Sequence, residues 1–297
     1  MKVGAFKRIT VAVDGSPASE AGVRCALSLA GDDTTLFFCR VVDPASAVRD
    51  IPFKAPLSPA ELHAAARAAC EDGVRKANAR GVSANSVVVE EHPSRGILRC
   101  AHEHQSDAIV MGSHGRTGIA RAVVGSTAEE VIRLSDVPVA VAHADDMLRA
   151  GPIAVAIDAS DAADAALTIG IELARAVPCE LHLFHVFGRA DLKYIDALGQ
   201  DHAERVEHAS LEAAAVLEEA ADRARSSGVA FESSMLEGNP AQELLEALDR
   251  HQCASAVVGT HSASELDRLL FGSVAFALVE RARVPIFVVR QAERATS

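Results

Sequence analysis

Tryptophan is absent from this 297-residue chain and tyrosine occurs once. Single-stranded nucleic acid is held on aromatic platforms where bases stack, so that class of binder is excluded. Positive charge is also short: 29 Lys and Arg stand against 41 Asp and Glu, a net charge of −12. A surface of that sign repels nucleic acid and anionic membrane. No apolar run reaches the ~18 residues of a membrane span. The opening MKVGAFKRITVAVDGS passes straight into a strand pattern and has no signal-peptide layout. None of the six cysteines (Cys25, Cys39, Cys70, Cys100, Cys179 and Cys253) forms a C-x-x-C pair. They read as buried reduced thiols, and the expected compartment is the cytoplasm. There is no G-x-S-x-G elbow, H-E-x-x-H helix or G-x-x-x-x-G-K-[ST] phosphate loop. No catalytic residue and no metal-ligand set is therefore assigned, and enzyme activity is left open.

What the chain does have is an ordinary globular composition, 49% hydrophobic and 24% charged, long enough for about two domains. It also has an internal repeat, the feature to seek first. ITVAVDGSPAS at 9–19 matches IAVAIDASDAA at 153–163, pairing Asp14 with Asp158 at an offset of 144. Gly112, Gly125 and Pro138 pair with Gly259, Gly272 and Pro285 at an offset of 147. The stretch 142–151 is the natural joint, giving expected domains 1–146 and 151–297. Charge is divided unevenly. Residues 1–150 hold 17 Lys and Arg against 18 Asp and Glu, while 151–297 hold 12 against 23.

Within copy one, apolar strands at 9–13, 36–42, 87–91, 108–111 and 137–142 alternate with helices at 17–30, 59–80, 97–104 and 126–134. Copy two repeats the order, with a longer charged helix around 201–227 that reads as a solvated face. Such alternation specifies an α/β fold, two tandem doubly wound parallel sheets with helices on both faces. Ligands of such sheets sit beyond the carboxyl ends of the strands, where strand order reverses. Asp14 ends the first strand and Gly112 the fourth, so both open on one crevice if these strands are neighbours.

The loop after the fourth strand of copy one reads Gly112-Ser113-His114-Gly115, nine residues, then Gly125-Ser126. A phosphate needs close backbone approach and free N–H donors. Glycine at 112 and 115 removes the Cβ that would block that approach. Gly125-Ser126 opens a helix whose N-terminus offers unpaired N–H groups and the positive dipole end. The Ser126 hydroxyl is expected either to cap that helix or to touch a phosphate oxygen, and Arg116 and Arg121 add positive charge.

The G-x-x-G-x9-G-[ST] run, with Asp14 ending the first strand, resembles the universal stress protein family, and the resemblance spans nearly the whole chain as a tandem member. It implies an adenine-nucleotide α-hydrolase-like fold with five-stranded sheets of order 3-2-1-4-5. It also implies ATP as cofactor, with or without Mg2+. By the same resemblance Asp14 lies beside the nucleoside and the main chain near Val42 meets the adenine edge. Gly112, Gly115, Gly125 and Ser126 hold ribose and phosphates, and Arg116 and Thr127 complete the candidate set. The last strands, 137–142 and 284–289, are expected to pair across the two copies. A homodimer and an unnamed protein partner are expected as well.

Copy two departs from the motif. It reads Gly259-Thr260-His261-Ser262, nine residues, then Gly272-Ser273, with Ala263, Glu265 and Asp267 where copy one has Arg116, Gly118 and Ala120. One glycine and one cation are lost and two carboxylates gained, so the anion site of copy two is expected to be weak. Two histidine pairs are set aside as metal sites: His102 and His104 are two apart on a helix, and His182 and His185 fall on opposite faces of a strand. His114 and His261 occupy equivalent loop positions, where His114 either faces solvent or contacts a phosphate or a backbone group. Three functions follow for testing: a nucleotide-loaded regulatory module of a stress response, a nucleotide-free interaction scaffold, or a slow ATPase.

Overall fold

The first strand of copy one, β1 (Arg8–Ala12), is apolar because helices cover both of its faces. In the computed structural model, which describes residues 4–43, 58–113, 124–143, 150–187, 202–260 and 272–290, the chain divides into two compact units, Met1–Asp146 and Met147–Ser297. The loop residues His114, Gly115, Arg116, Arg121, His261, Ser262, Ala263, Glu265 and Asp267 lie outside the described residues.

Helix α1 (Pro17–Leu29) follows β1, with Pro at its first position and Ser16 as N-cap, the Ser16 hydroxyl accepting from the Ser19 N–H. Then come β2 (Thr35–Val42), α2 (Pro59–Asn78), β3 (Ser83–Glu90), α3 (Pro93–Glu103), β4 (Ala108–Gly112), α4 (Ser126–Leu134) and β5 (Val139–Ala142). The parallel strands lie in the order β3-β2-β1-β4-β5. The second unit has β6 (Ile153–Ile157), α5 (Asp161–Ala176), β7 (Leu181–Phe187), α6 (His202–Ser227), β8 (Phe231–Glu237), α7 (Pro240–Arg250), β9 (Ser255–Thr260), α8 (Ser273–Arg281) and β10 (Ile286–Arg290). Its order, β8-β7-β6-β9-β10, is the same one. The expected α/β class and the 3-2-1-4-5 order are what the chain adopts.

Several boundaries differ from those expected. β3 begins at Ser83, four residues earlier than its apolar run, because β2 hydrogen-bonds along the whole stretch from Thr35↔Ser83 to Val42↔Glu90. Its polar first half is mostly exposed and carries no apolar signal. α3 begins at Pro93, where proline's fixed φ and missing N–H suit the first helical position. β5 begins at Val139. Pro138 has no N–H to give, although its carbonyl still accepts from the Ile109 N–H at 2.9 Å. α2 stops at Asn78, and Gly81 turns the chain with φ +75°.

The core is Ala, Val, Leu and Ile, with Phe38 and Phe184 the largest fully buried side chains. The six cysteines are free, and all but Cys179 are buried. A hydrogen bond with Cys100, together with burial, pushes the Cys39 thiol far above its ordinary range, and burial pushes Cys70 up to about 11. Thiols held protonated in this way are poor nucleophiles. In α6, Leu217, Ala221 and Ala224 face the core while Glu212, Glu218, Glu219 and Arg225 are exposed, the solvated face expected from its sequence. No described helix is long and apolar enough to cross a membrane.

Candidate nucleotide site

β1 and β4 are neighbours in copy one, in register from Ile9↔Ala108 to Val11↔Val110. Strand order reverses between them, so the chain ends of both strands open on one crevice. Asp14 leaves β1 into a turn where Gly15 takes φ +79°, a conformation that L side chains rarely adopt. That turn lets Asp14 Oδ1 accept from the Ser16 N–H at 2.8 Å, while the Asp14 N–H donates to the Ser19 hydroxyl at 3.0 Å. Val42, the last residue of β2, is buried, and its carbonyl accepts from the Glu91 N–H at 3.2 Å.

Gly112 and Gly125 stand at the two ends of the loop segment. The Ser113 carbonyl joins those ends, accepting from the Gly125 N–H at 2.8 Å. Gly125 is the N-cap of α4, with φ −64° and ψ 140°, and no side chain caps the helix. Ser126 is thus the first helical residue, one place too late to cap, which removes one of its two expected roles. It is exposed, and Thr127 beside it is partly exposed. Among the eight described helices, α1, α2, α5 and α7 have an N-terminal N–H taken by a Ser or Asn side chain. The N-cap of α4, by contrast, makes no side-chain cap, and first-turn N–H groups of this kind suit an anion.

Gly112 has a reason other than clearance for a phosphate. A Cβ there would lie 2.5 Å from the Ala18 carbonyl carbon and 2.7 Å from the Ser19 nitrogen, both backbone atoms of α1. Gly259 repeats this against Ala162, at 2.5 Å. Both are packing glycines that let the first helix lie against the fourth strand. Gly112→Ala is accordingly expected to lower the thermal stability of copy one by about 1–3 kcal/mol, since neither backbone can yield cheaply. Thermal unfolding followed by circular dichroism checks this; an unchanged midpoint with weakened nucleotide binding would restore the clearance role.

Sequence reasoning passed over two residues at this crevice. Arg40 reaches the end of β1, donating from Nη1 to the Val13 carbonyl at 3.2 Å, and so brings a guanidinium close to Asp14. Ser19, buried on α1, holds the Asp14 backbone. Arg40 was legible from strand register, since Ala12↔Cys39 puts it level with Val13.

Copy two keeps the scaffold and changes these contacts. Ala159 replaces Gly15 and does not enter the left-handed region. Asp158 is exposed, and its Oδ1 accepts from both the N–H (2.9 Å) and the hydroxyl of Ser160. His185 replaces Arg40 on the carbonyl that ends the first strand, with Nδ1 2.9 Å from the Ile157 oxygen. The Gly272 N–H goes to the Thr260 hydroxyl at 3.2 Å instead of to a main-chain carbonyl. α8, like α4, has a glycine N-cap and no side-chain cap.

Of the two histidine pairs set aside, His102 is exposed while His104 stacks on Phe37 at 4.3 Å. His182 and His185 do lie apart, but His182 meets His251, with ring centroids 4.2 Å from one another.

The model of the universal stress protein family matches residues 5–143 and again 150–290. A universal stress protein of Mycobacterium tuberculosis is 30% identical over 216 residues, covering 71% of this chain and 70% of that protein. One of Bacillus subtilis is 29% identical over 142 residues, 46% of this chain and 96% of that protein. A crystal structure of a universal stress protein from Archaeoglobus fulgidus superposes with a TM-score of 0.72 over 98% of both chains at 19% identity, a likeness of fold. With both halves matched by the family model, the chain belongs to the universal stress protein family, as a tandem of two such domains.

Proposed function

We propose that copy one binds ATP and that the chain acts as a nucleotide-loaded regulatory module. Asp14, the main chain at Val42, Gly112, Gly115, Arg116, Gly125, Ser126 and Thr127 form the proposed site. The observation that carries the reading is the uncapped N-terminus of α4 at the β1/β4 switch point, opposite an Asp fixed by its own turn. First-turn N–H groups and the helix dipole suit a phosphate. A carboxylate anchored at Oδ1 keeps lone pairs for ribose hydroxyls. Arg40 adds positive charge on the Asp14 side. Gly112 supports the site through packing, by setting α1 against β4. Bound ATP supplies a charged, hydrogen-bonding surface for a partner to read, and the fold supplies its orientation.

Purified full-length chain, denatured and analysed by mass spectrometry, is expected to release an adenine nucleotide. The emptied chain is expected to bind ATP by titration calorimetry. If no nucleotide is released and ATP evolves no heat and shifts no melting transition, the proposal fails.

A further inference from the structure

We propose that His182, Glu232 and His251 form a site for a divalent transition-metal ion of the zinc type, on the end of copy two opposite its crevice. The three are far apart in sequence and come from three elements. His182 is the second residue of β7, and Glu232 is its register partner on β8. His251 follows directly after α7 as its C-cap. Their ligand atoms, one per residue, all lie within 4.8 Å of one another. Zinc bonds of about 2.0–2.2 Å to nitrogen and carboxylate oxygen require ligand separations of roughly 3.3 Å in a tetrahedron. The cluster must therefore close by at most about 1.5 Å. Glu232, with 65% of its side chain exposed, and the part-exposed His251 have the freedom to do so, while His182 is fixed, 3% exposed and stacked on Phe184.

Copy one supplies an internal comparison. At the positions equivalent to His182, Glu232 and His251 it has Phe37, Asn85 and His104. The backbone at the helix end is the same in both. His104 has φ −92° and ψ 5° and is followed by Gln105 at φ 49°; His251 has φ −90° and ψ 5° and is followed by Gln252 at φ 53°. In copy one the histidine stacks on the phenylalanine, with an interplanar angle of 10°. In copy two Phe has become His and Asn has become Glu, and each change adds a metal-ligating atom at the same spot. The two rings then meet edge-on at 69°. A buried imidazole costs desolvation that the phenylalanine of copy one does not. Ser234, whose hydroxyl lies 3.1 Å from His182 Nε2, offsets part of that cost. Burial and the neighbouring His251 hold His182 toward its neutral form, the form that ligates. Two imidazoles and one carboxylate, leaving a position for water, suit zinc and its neighbours rather than Mg2+ or Ca2+.

The full-length chain, stripped with a chelator, is titrated with Zn2+ by calorimetry and with Co2+ as a spectroscopic probe. One site per chain is expected, with Co2+ absorption of nitrogen and oxygen ligation. His182→Phe and Glu232→Asn restore the residues of copy one at equivalent positions. Each is expected to weaken Zn2+ binding by well over about tenfold, since even outer partners of a metal site are worth about 10–100-fold. His104→Ala in copy one is expected to leave the titration unchanged. Circular dichroism of both variants checks folding, and Glu232→Asn, at an exposed position, keeps the test open if His182→Phe misfolds. Absence of a site, a site indifferent to both substitutions, or a thiolate charge-transfer band from Co2+ would each overturn the proposal.

Discussion

Gly125→Glu is expected to abolish ATP binding while leaving the melting transition of the chain in place. The two effects separate because of backbone geometry. Gly125 sits at φ −64° and ψ 140°, where any L residue is at ease, and its N–H bond to the Ser113 carbonyl survives the change. The new carboxylate would stand at the uncapped end of α4, where the proposal puts a phosphate, and would itself take the first-turn N–H groups. Losing one charge-assisted hydrogen bond costs ~1.5–3 kcal/mol, and like-charge repulsion near a poorly screened site adds to it. At 1.4 kcal/mol per decade, the affinity should drop on the order of 100-fold or more. Gly115→Glu is expected to act alike. Gly272→Glu in copy two is the control and should leave ATP affinity unchanged. Calorimetry on the three variants is decisive: equal affinity in Gly125→Glu and the parent would refute the assignment of this loop.

The contrast with Gly112→Ala shows where sequence reading reaches and where it stops. Both glycines belong to one motif, and the motif suggests one purpose for both. Only the fold separates them. The Cβ of residue 112 would strike the α1 backbone, whereas Gly125 is an ordinary extended N-cap. Topology was legible because apolar strands alternating with helices leave few right-handed arrangements, and the repeat gives two readings of each element. Boundaries were less legible where pairing rather than apolarity sets them, as in the polar first half of β3. Arg40 and Ser19 were overlooked because each acts on a main-chain group, Arg40 across the sheet on the Val13 carbonyl and Ser19 back along the turn on the Asp14 N–H, and neither belongs to the glycine motif. His182 was weighed only against His185, its neighbour along one strand. Its companions arrive from the next strand and from a helix end, 50 and 69 residues further on.

The chain is expected to bind about one ATP, in copy one. Sequence alone supports this through the near-neutral first half and the acidic second half, and through Ser262, Ala263, Glu265 and Asp267 in the second loop. The described residues add local reasons. Asp158 already takes both donors of Ser160, without the left-handed turn that Gly15 gives Asp14. Ala163 replaces Ser19, so the hydroxyl that fixes the Asp14 backbone has no counterpart. His185 replaces Arg40, so a permanent cation is lost from the crevice. One feature runs the other way. α4 carries Glu129 in its first turn, and α8 has no acidic residue there. A carboxylate competing at a helix N-terminus is worth ~0.3–1 kcal/mol, less than the ~1.5–3 kcal/mol of a single charge-assisted contact. Copy two lacks more than one such contact, so the balance favours copy one by ~100-fold or more. Titration of the nucleotide-free chain should give a stoichiometry near one, unaltered by Gly272→Glu. Two equal sites per chain would show that none of these substitutions bears on the nucleotide.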